Sequence, residues 1–143
     1  MPWFPMFVDL TGRPCLIVGG GTVAARKAEK LRPYAPSLTV IAPEFVPGFE
    51  NCTLLPRPYR PGDEDGMSLV IAATGDPILN HAISTTCRAK NIPVNVVDDK
   101  EYCSFLFPCV PAAAGKRGEA LSLLQRKALR PLPLPSGAIR PAV

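Results

Sequence analysis

The sequence predicts an α/β fold, a doubly wound parallel sheet, and three observations point to it. Short apolar runs of strand length alternate with amphipathic stretches of helix length. The first run passes straight into three glycines and a helical stretch, "LIVGGGTVAARK" at 16–27. Two later runs end in small or acidic residues, "AATGDP" and "VNVVDD", which suits the ligand-facing ends of parallel strands.

The elements follow in order. "PCLIV" (14–18) is a continuous apolar run, as expected for a strand buried on both faces. "TVAARKAEKLRPY" (22–34) is helical, with Val23, Ala24, Ala28 and Leu31 spaced as one apolar stripe before Pro33 and Pro36 end it. "LTVIA" (38–42) is a second buried strand. From Pro43 to Gly66 the chain is rich in proline and acids, with a weak strand at 52–55. "LVIAA" (69–73) is the next clear strand. The helix 76–91 opens with Asp76 as a cap and Pro77 at the first helical position. "VNVV" (94–97) is the last strand. Right-handed crossovers then assemble the strands into one parallel sheet.

Composition narrows the class. The chain has 143 residues, which is one ordinary domain or a domain with an appendage. No apolar run approaches the roughly 20 residues that span a bilayer, and the N-terminus lacks the pattern of a secretory signal. A cytoplasmic protein with no membrane partner is the expectation. The net charge of +4 is unevenly spread: residues 1–114 carry −1 and residues 115–143 carry +5. The basic character belongs to the tail, which lacks the aromatic interleaving of a nucleic-acid module, so no nucleic-acid partner is expected. Five cysteines without paired spacing and a single histidine, His81, give no metal-site pattern. Cys15 and Cys87 fall in apolar segments and are expected as buried hydrophobes.

Gly19, Gly21 and Ala24 match G-x-G-x-x-A between a strand and a helix, the setting of a Rossmann dinucleotide fingerprint. Gly19 permits the tight turn, Gly21 leaves the pyrophosphate room, and Ala24 lets the helix pack on the sheet. The N–H groups of Thr22 and Val23 then point at the phosphates. An acid is expected at the end of the second strand to hold the ribose. The sequence has Ala42, Pro43 and Glu44 there, with no arginine for a 2′-phosphate, so NAD is favoured over NADP. Thr74 follows another strand as a small edge residue. Asn95, Asp98 and Asp99 mark the end of the last strand, where a carboxylate serves as a general base or metal ligand, or only caps a helix or turn.

Three phrases together resemble the N-terminal module of siroheme synthases: "FPMFVDLTGRPCLIVGGGTVAARKAEKL", "LVIAATGDPILN" and "IPVNVVDDKEYCSFLFP". The resemblance runs from about residue 4 to residue 109. That family comprises precorrin-2 dehydrogenases, some of them also sirohydrochlorin ferrochelatases. It implies NAD-dependent oxidation of precorrin-2 to sirohydrochlorin, with Fe²⁺ insertion as a further activity. It implies that Gly19, Gly21, Thr22 and Val23 bind the pyrophosphate and that Pro43 and Glu44 lie on the adenosine side. Asp98 matches the family's essential aspartate, Asn95 and Ser104 would line the substrate site, and a homodimer is the family norm.

Past residue 109 the resemblance ends, and "CVPAAAGKRGEALSLLQRKALRPLPLPSGAIRPAV" lacks the family's Ser/Thr-Gly-Gly-x-Ser-Pro segment. Two domains of unlike character are therefore expected. Residues 1–110 form a dinucleotide-binding domain, and 111–143 an atypical extension from a frameshifted or truncated end, with room for one helix. Translating the other forward frames downstream of codon 109 checks the frameshift. The alternative to an enzyme is a dinucleotide-binding module without turnover.

Overall fold

In a computed structural model the structure describes residues 2–107. The tail's expected helix and Cys109 lie outside the described residues. Five strands form one parallel sheet: β1 (Pro14–Val18), β2 (Ser37–Ala42), β3 (Thr53–Pro56), β4 (Leu69–Ala72) and β5 (Val94–Val96). Their order is β3-β2-β1-β4-β5. Helix α1 (Thr22–Leu31) links β1 to β2, and helix α2 (Pro77–Ala89) links β4 to β5. Every neighbouring pair is parallel, so all five carboxyl ends share one edge. The chain reverses its direction of travel between β1 and β4. This is the topological switch point at which open α/β sheets bind ligands.

The strands alternate between two cores. Cys15, Ile17, Val40 and Ile71 face one layer with Ala24, Ala28 and Leu31 of α1. Leu16, Val18, Ile41 and Val70 face the other with Ile83 and Cys87 of α2. Burial on both faces explains why the strands read as unbroken apolar runs rather than alternating ones. Cys15 and Cys87 are fully buried as expected, and that burial pushes both thiols up to about 11. α1 is shorter than its sequence pattern: Pro33 turns the chain at 32–34 into a 3₁₀ turn, because proline at that place removes the next helical donor. Val23 departs from the expected stripe and is 42% exposed, whereas Ala24, Ala28 and Leu31 are buried.

The proline- and acid-rich connection from β3 to β4 crosses without a helix. Side chains hold it instead. Arg57 donates two parallel hydrogen bonds to Asp63, at 2.8 and 2.9 Å, and the Arg60 N–H adds a third at 2.7 Å. Glu64 is wholly buried; its Oε1 accepts from the Tyr59 hydroxyl at 2.5 Å, and the Lys90 ammonium stands 3.4 Å from Oε2. Lys90 also reaches Asp65 at 2.6 Å, which ties the crossover to the end of α2.

The Arg57 guanidinium holds the Asp63 carboxyl below the usual carboxylate range, and the Arg60 amide adds to the effect. The folded-state value lies below the unfolded one, so this stabilisation is complete above about pH 4 and is lost as pH falls through the lowered value. Asp63→Asn is therefore expected to lower Tm at pH 7. It should also flatten the fall in Tm between about pH 5 and about pH 2, which thermal melts by circular dichroism will show.

Candidate functional site

The shared carboxyl edge begins at the three glycines, and each of them has a different reason to be there. Gly19 has φ +133°, and a β-carbon on it would fall 2.3 Å from the carbonyl oxygen of Ala73, just past β4. On Gly20 it would fall 1.9 Å from the carbonyl oxygen of Glu44, just past β2. Backbone hydrogen bonds close both approaches: Gly19 N–H donates to Ile41, Val46 N–H to Gly20, and Ala73 N–H to Val18. Gly20 escapes the sequence fingerprint. Its only signal is that the run holds three glycines where the motif needs two.

Gly21 differs. A β-carbon there meets nothing within 4 Å, so the space beside it is open. Gly21 is also the N-cap of α1, and no side chain caps that helix or places an acid in its first turn. The N–H groups of Thr22 and Val23 thus face open space at the positive end of the helix dipole. α2 provides the contrast: Asp76 Oδ1 accepts from Ile78 N–H at 3.0 Å, and its N-terminus is satisfied from within the chain. The cradle at Gly21 fits a pyrophosphate in shape and in charge.

The neighbouring loops complete the edge. Pro43 and Glu44 are exposed beyond β2. Thr74 follows β4, where Asn80 grips it. Asn80 Oδ1 accepts from the Thr74 N–H at 3.2 Å and its hydroxyl at 2.5 Å, while Asn80 Nδ2 donates to the Thr74 carbonyl at 3.1 Å. The Thr74 hydroxyl is thus committed to shaping the loop. Pattern reading misses Asn80, whose one signal in the sequence is its place in "TGDPILN", six residues after Thr74.

Asp98 follows β5 in the left-handed region at φ +57°, a conformation aspartate tolerates better than most residues. It lines a cleft of about 630 Å³ together with Val23, Lys27, Asn95, Asp99 and Phe107. Val23, Lys27 and Lys30 project from one face of α1, three and four residues apart, while Ala24, Ala28 and Leu31 bury the other. The Lys27 ammonium rests 4.2 Å above the centre of the Phe107 ring. Burial in the cleft wall, with Lys30 nearby, holds Lys27 below the usual lysine range, against the opposing pull of Cys103 and Asp98. Helical spacing alone does not mark Lys27; the fold places it in the cleft.

Asn95 and Ser104 act mainly as struts. Asn95 Nδ2 donates to the Phe105 carbonyl at 3.0 Å, and Ser104 Oγ accepts from Val94 N–H at 2.9 Å. Ser104 lies near the amino end of β5, away from the edge that gathers the other predicted residues. His81, which gives no metal-site pattern in the sequence, pairs with Asp99 and stacks on Tyr102. Among the described residues no group of three or more His, Cys, Asp or Glu side chains comes together to hold a metal ion, and no helix is long and apolar enough to cross a membrane.

A doubly wound parallel sheet with an uncapped helix N-terminus over an open glycine at its switch point defines a Rossmann-type dinucleotide-binding domain. A family model described as "Putative NAD(P)-binding" matches residues 6–109, and the chain belongs to that family. The chain is 42% identical over 116 residues to a siroheme synthase of Methylobacillus flagellatus, and 43% identical over 118 residues to one of Azotobacter vinelandii. Each alignment covers 77% of this chain but 25% of the relative, so the chain spans about a quarter of the length of these proteins. Among solved structures, that of SirC, a precorrin-2 dehydrogenase, matches with a TM-score of 0.60 at 16% identity, covering 88% of this chain and 70% of that one.

The three glycines separate folding from binding. Gly19→Ala and Gly20→Ala are each expected to cost at least about 2 kcal/mol of stability, because backbone must move. Gly21→Ala is expected to stay within about 0.5 kcal/mol of the parent, yet to weaken nicotinamide-dinucleotide binding by about 10-fold or more. Denaturant melts and calorimetric titration of the three variants check both halves.

Proposed function

We propose that this chain carries out the NAD-dependent dehydrogenation of precorrin-2 to sirohydrochlorin. One observation carries the reading: Asp98 and the open Gly21 cradle flank the same carboxyl edge, with a cleft beside the carboxylate. The likeness to siroheme synthases over 77% of the chain supports the substrate class. Gly19, Gly21 and the N–H groups of Thr22 and Val23 hold the pyrophosphate. Gly20 lets the loop past β2 close against them, and Thr74 shapes the loop past β4. Pro43 and Glu44 take the adenosine side. An exposed carboxylate at Glu44 accepts from a ribose hydroxyl and repels a 2′-phosphate, which favours NAD over NADP.

The nicotinamide cofactor, when bound, supplies the hydride acceptor. Loss of a hydride from a reduced tetrapyrrole also requires loss of a proton, and the Asp98 carboxylate is the group that takes it. Its left-handed backbone turns the chain sharply at the strand end. The Lys27 ammonium, half-desolvated over Phe107, supplies positive charge beside a substrate that bears carboxylates. Asn95 and Ser104 hold the segment that brings Phe107 to Lys27. Fe²⁺ as a second substrate, with Asp98 taking the pyrrole protons, and a second copy of the chain as partner belong to the same proposal. So does a cytoplasmic location.

Asp98→Asn is the direct test. NADH formation from enzymatically prepared precorrin-2 is expected to fall by about 100-fold or more, the scale of a lost general base, while the NAD Kd stays within about 3-fold of the parent. Parental turnover in Asp98→Asn would remove the carboxylate from the mechanism. Absence of turnover in the unsubstituted chain, with NAD still bound, would leave a binding module in place of an enzyme.

A further inference from the structure

β5, which leads into Asp98, is three residues long and lies at the edge of the sheet. The segment after it is therefore held largely from outside, and α2 does most of the holding. His81, Ser84 and Arg88 stand three and four residues apart, on one face of the helix. His81 Nε2 lies 2.6 Å from Asp99 Oδ2, and its ring stacks on Tyr102 with centroids 3.7 Å apart and planes 4° from parallel. Ser84 Oγ donates to the Tyr102 carbonyl at 2.5 Å. Arg88 Nη2 donates to the carbonyls of Glu101 and Cys103, both at 2.9 Å. Every residue from 99 to 103 other than Lys100 is held by this face. The Cys103 thiol closes the loop on its inner side, accepting from Val96 N–H at 3.1 Å and donating to the Asp99 carbonyl at 3.3 Å.

We propose that His81, Ser84 and Arg88 form a brace that positions Asp98, so that α2 sets where the carboxylate stands in the cleft. The proposal rests on the reading of Asp98 as proton acceptor. The three residues are positioning residues: none of them lines the cleft, and they act through the loop from Asp99 to Cys103. The backbone of Asp98 gives the brace its purpose. The left-handed region at φ +57° carries a backbone cost that aspartate lessens but does not remove, and the neighbouring residues on its C-terminal side are the ones gripped.

Two variants of the full chain test this. His81→Phe keeps a ring on Tyr102 and loses the bond to Asp99; Arg88→Ala, at an exposed position, removes two carbonyl contacts and opens no core. Hydrogen exchange and steady-state kinetics with precorrin-2 and NAD are measured on both. The amides of Tyr102 and Cys103 are expected to exchange about 10-fold faster or more, while those of β1 and β4 keep their rates. kcat is expected to fall about 10-fold or more, with KM for precorrin-2 and NAD affinity unchanged, because a misplaced acceptor costs rate rather than binding. Unchanged exchange at 99–103 in both variants overturns the brace. So does faster exchange with an unchanged kcat, or faster exchange spread equally over β1 and β4. If the unsubstituted chain turns over no precorrin-2, the catalytic reading of Asp98 fails, and the exchange result alone upholds or overturns the brace.

Discussion

Gly19 and Gly20 lie where three segments of backbone meet with no room for a β-carbon. The carbonyl of Ala73 closes on one and the carbonyl of Glu44 on the other, at distances that any side chain would violate. This contact fixes the loops past β1, β2 and β4 against one another at the switch point of the sheet. It also sets the start of α1, whose first turn has no side-chain cap and no acid. Everything proposed for the site follows from that packing. The open space at Gly21 is a cradle because its two neighbours are filled.

The helices divide the remaining work by face. α1 buries Ala24, Ala28 and Leu31 against the sheet and turns Val23, Lys27 and Lys30 toward the cleft. α2 buries Ile83 and Cys87, and its polar stripe grips the loop that follows Asp98. The two helix N-termini are treated oppositely. Asp76 satisfies α2 from within the chain, whereas α1 carries no acid in its first turn. A negative charge from outside is thus welcome at one helix only.

Much of the fold was legible because its signals are local. "PCLIV" matches β1 residue for residue, and Asp76 with Pro77 marks the start of α2 by capping chemistry alone. The sequence order of strands and helices also predicts the parallel sheet. What escaped depends on partners distant in the chain. Gly20 is required by Glu44, Lys27 enters the cleft because Phe107 returns to it, and Asn80 matters through the backbone of Thr74. The crossover from β3 to β4 shows no period because ion pairs, not a helix, hold it. Val23 satisfies the helical stripe by spacing, yet α1 sits rotated so that this position faces the cleft. Periodicity finds a stripe but does not fix its edge. The reaction itself was legible only by resemblance, since strand-end carboxylates cap turns as readily as they move protons.

The proposed dinucleotide site at the α1 N-terminus stands on the open cradle at Gly21. Titration of the ¹⁵N-labelled chain with NAD, followed through amide chemical shifts, tests it most directly. The largest shifts are expected at Gly21, Thr22 and Val23, with smaller ones past β2, β4 and β5 and almost none at the amino ends of the strands. Shifts confined to another surface, or an unperturbed α1 N-terminus at saturating NAD, would contradict the account.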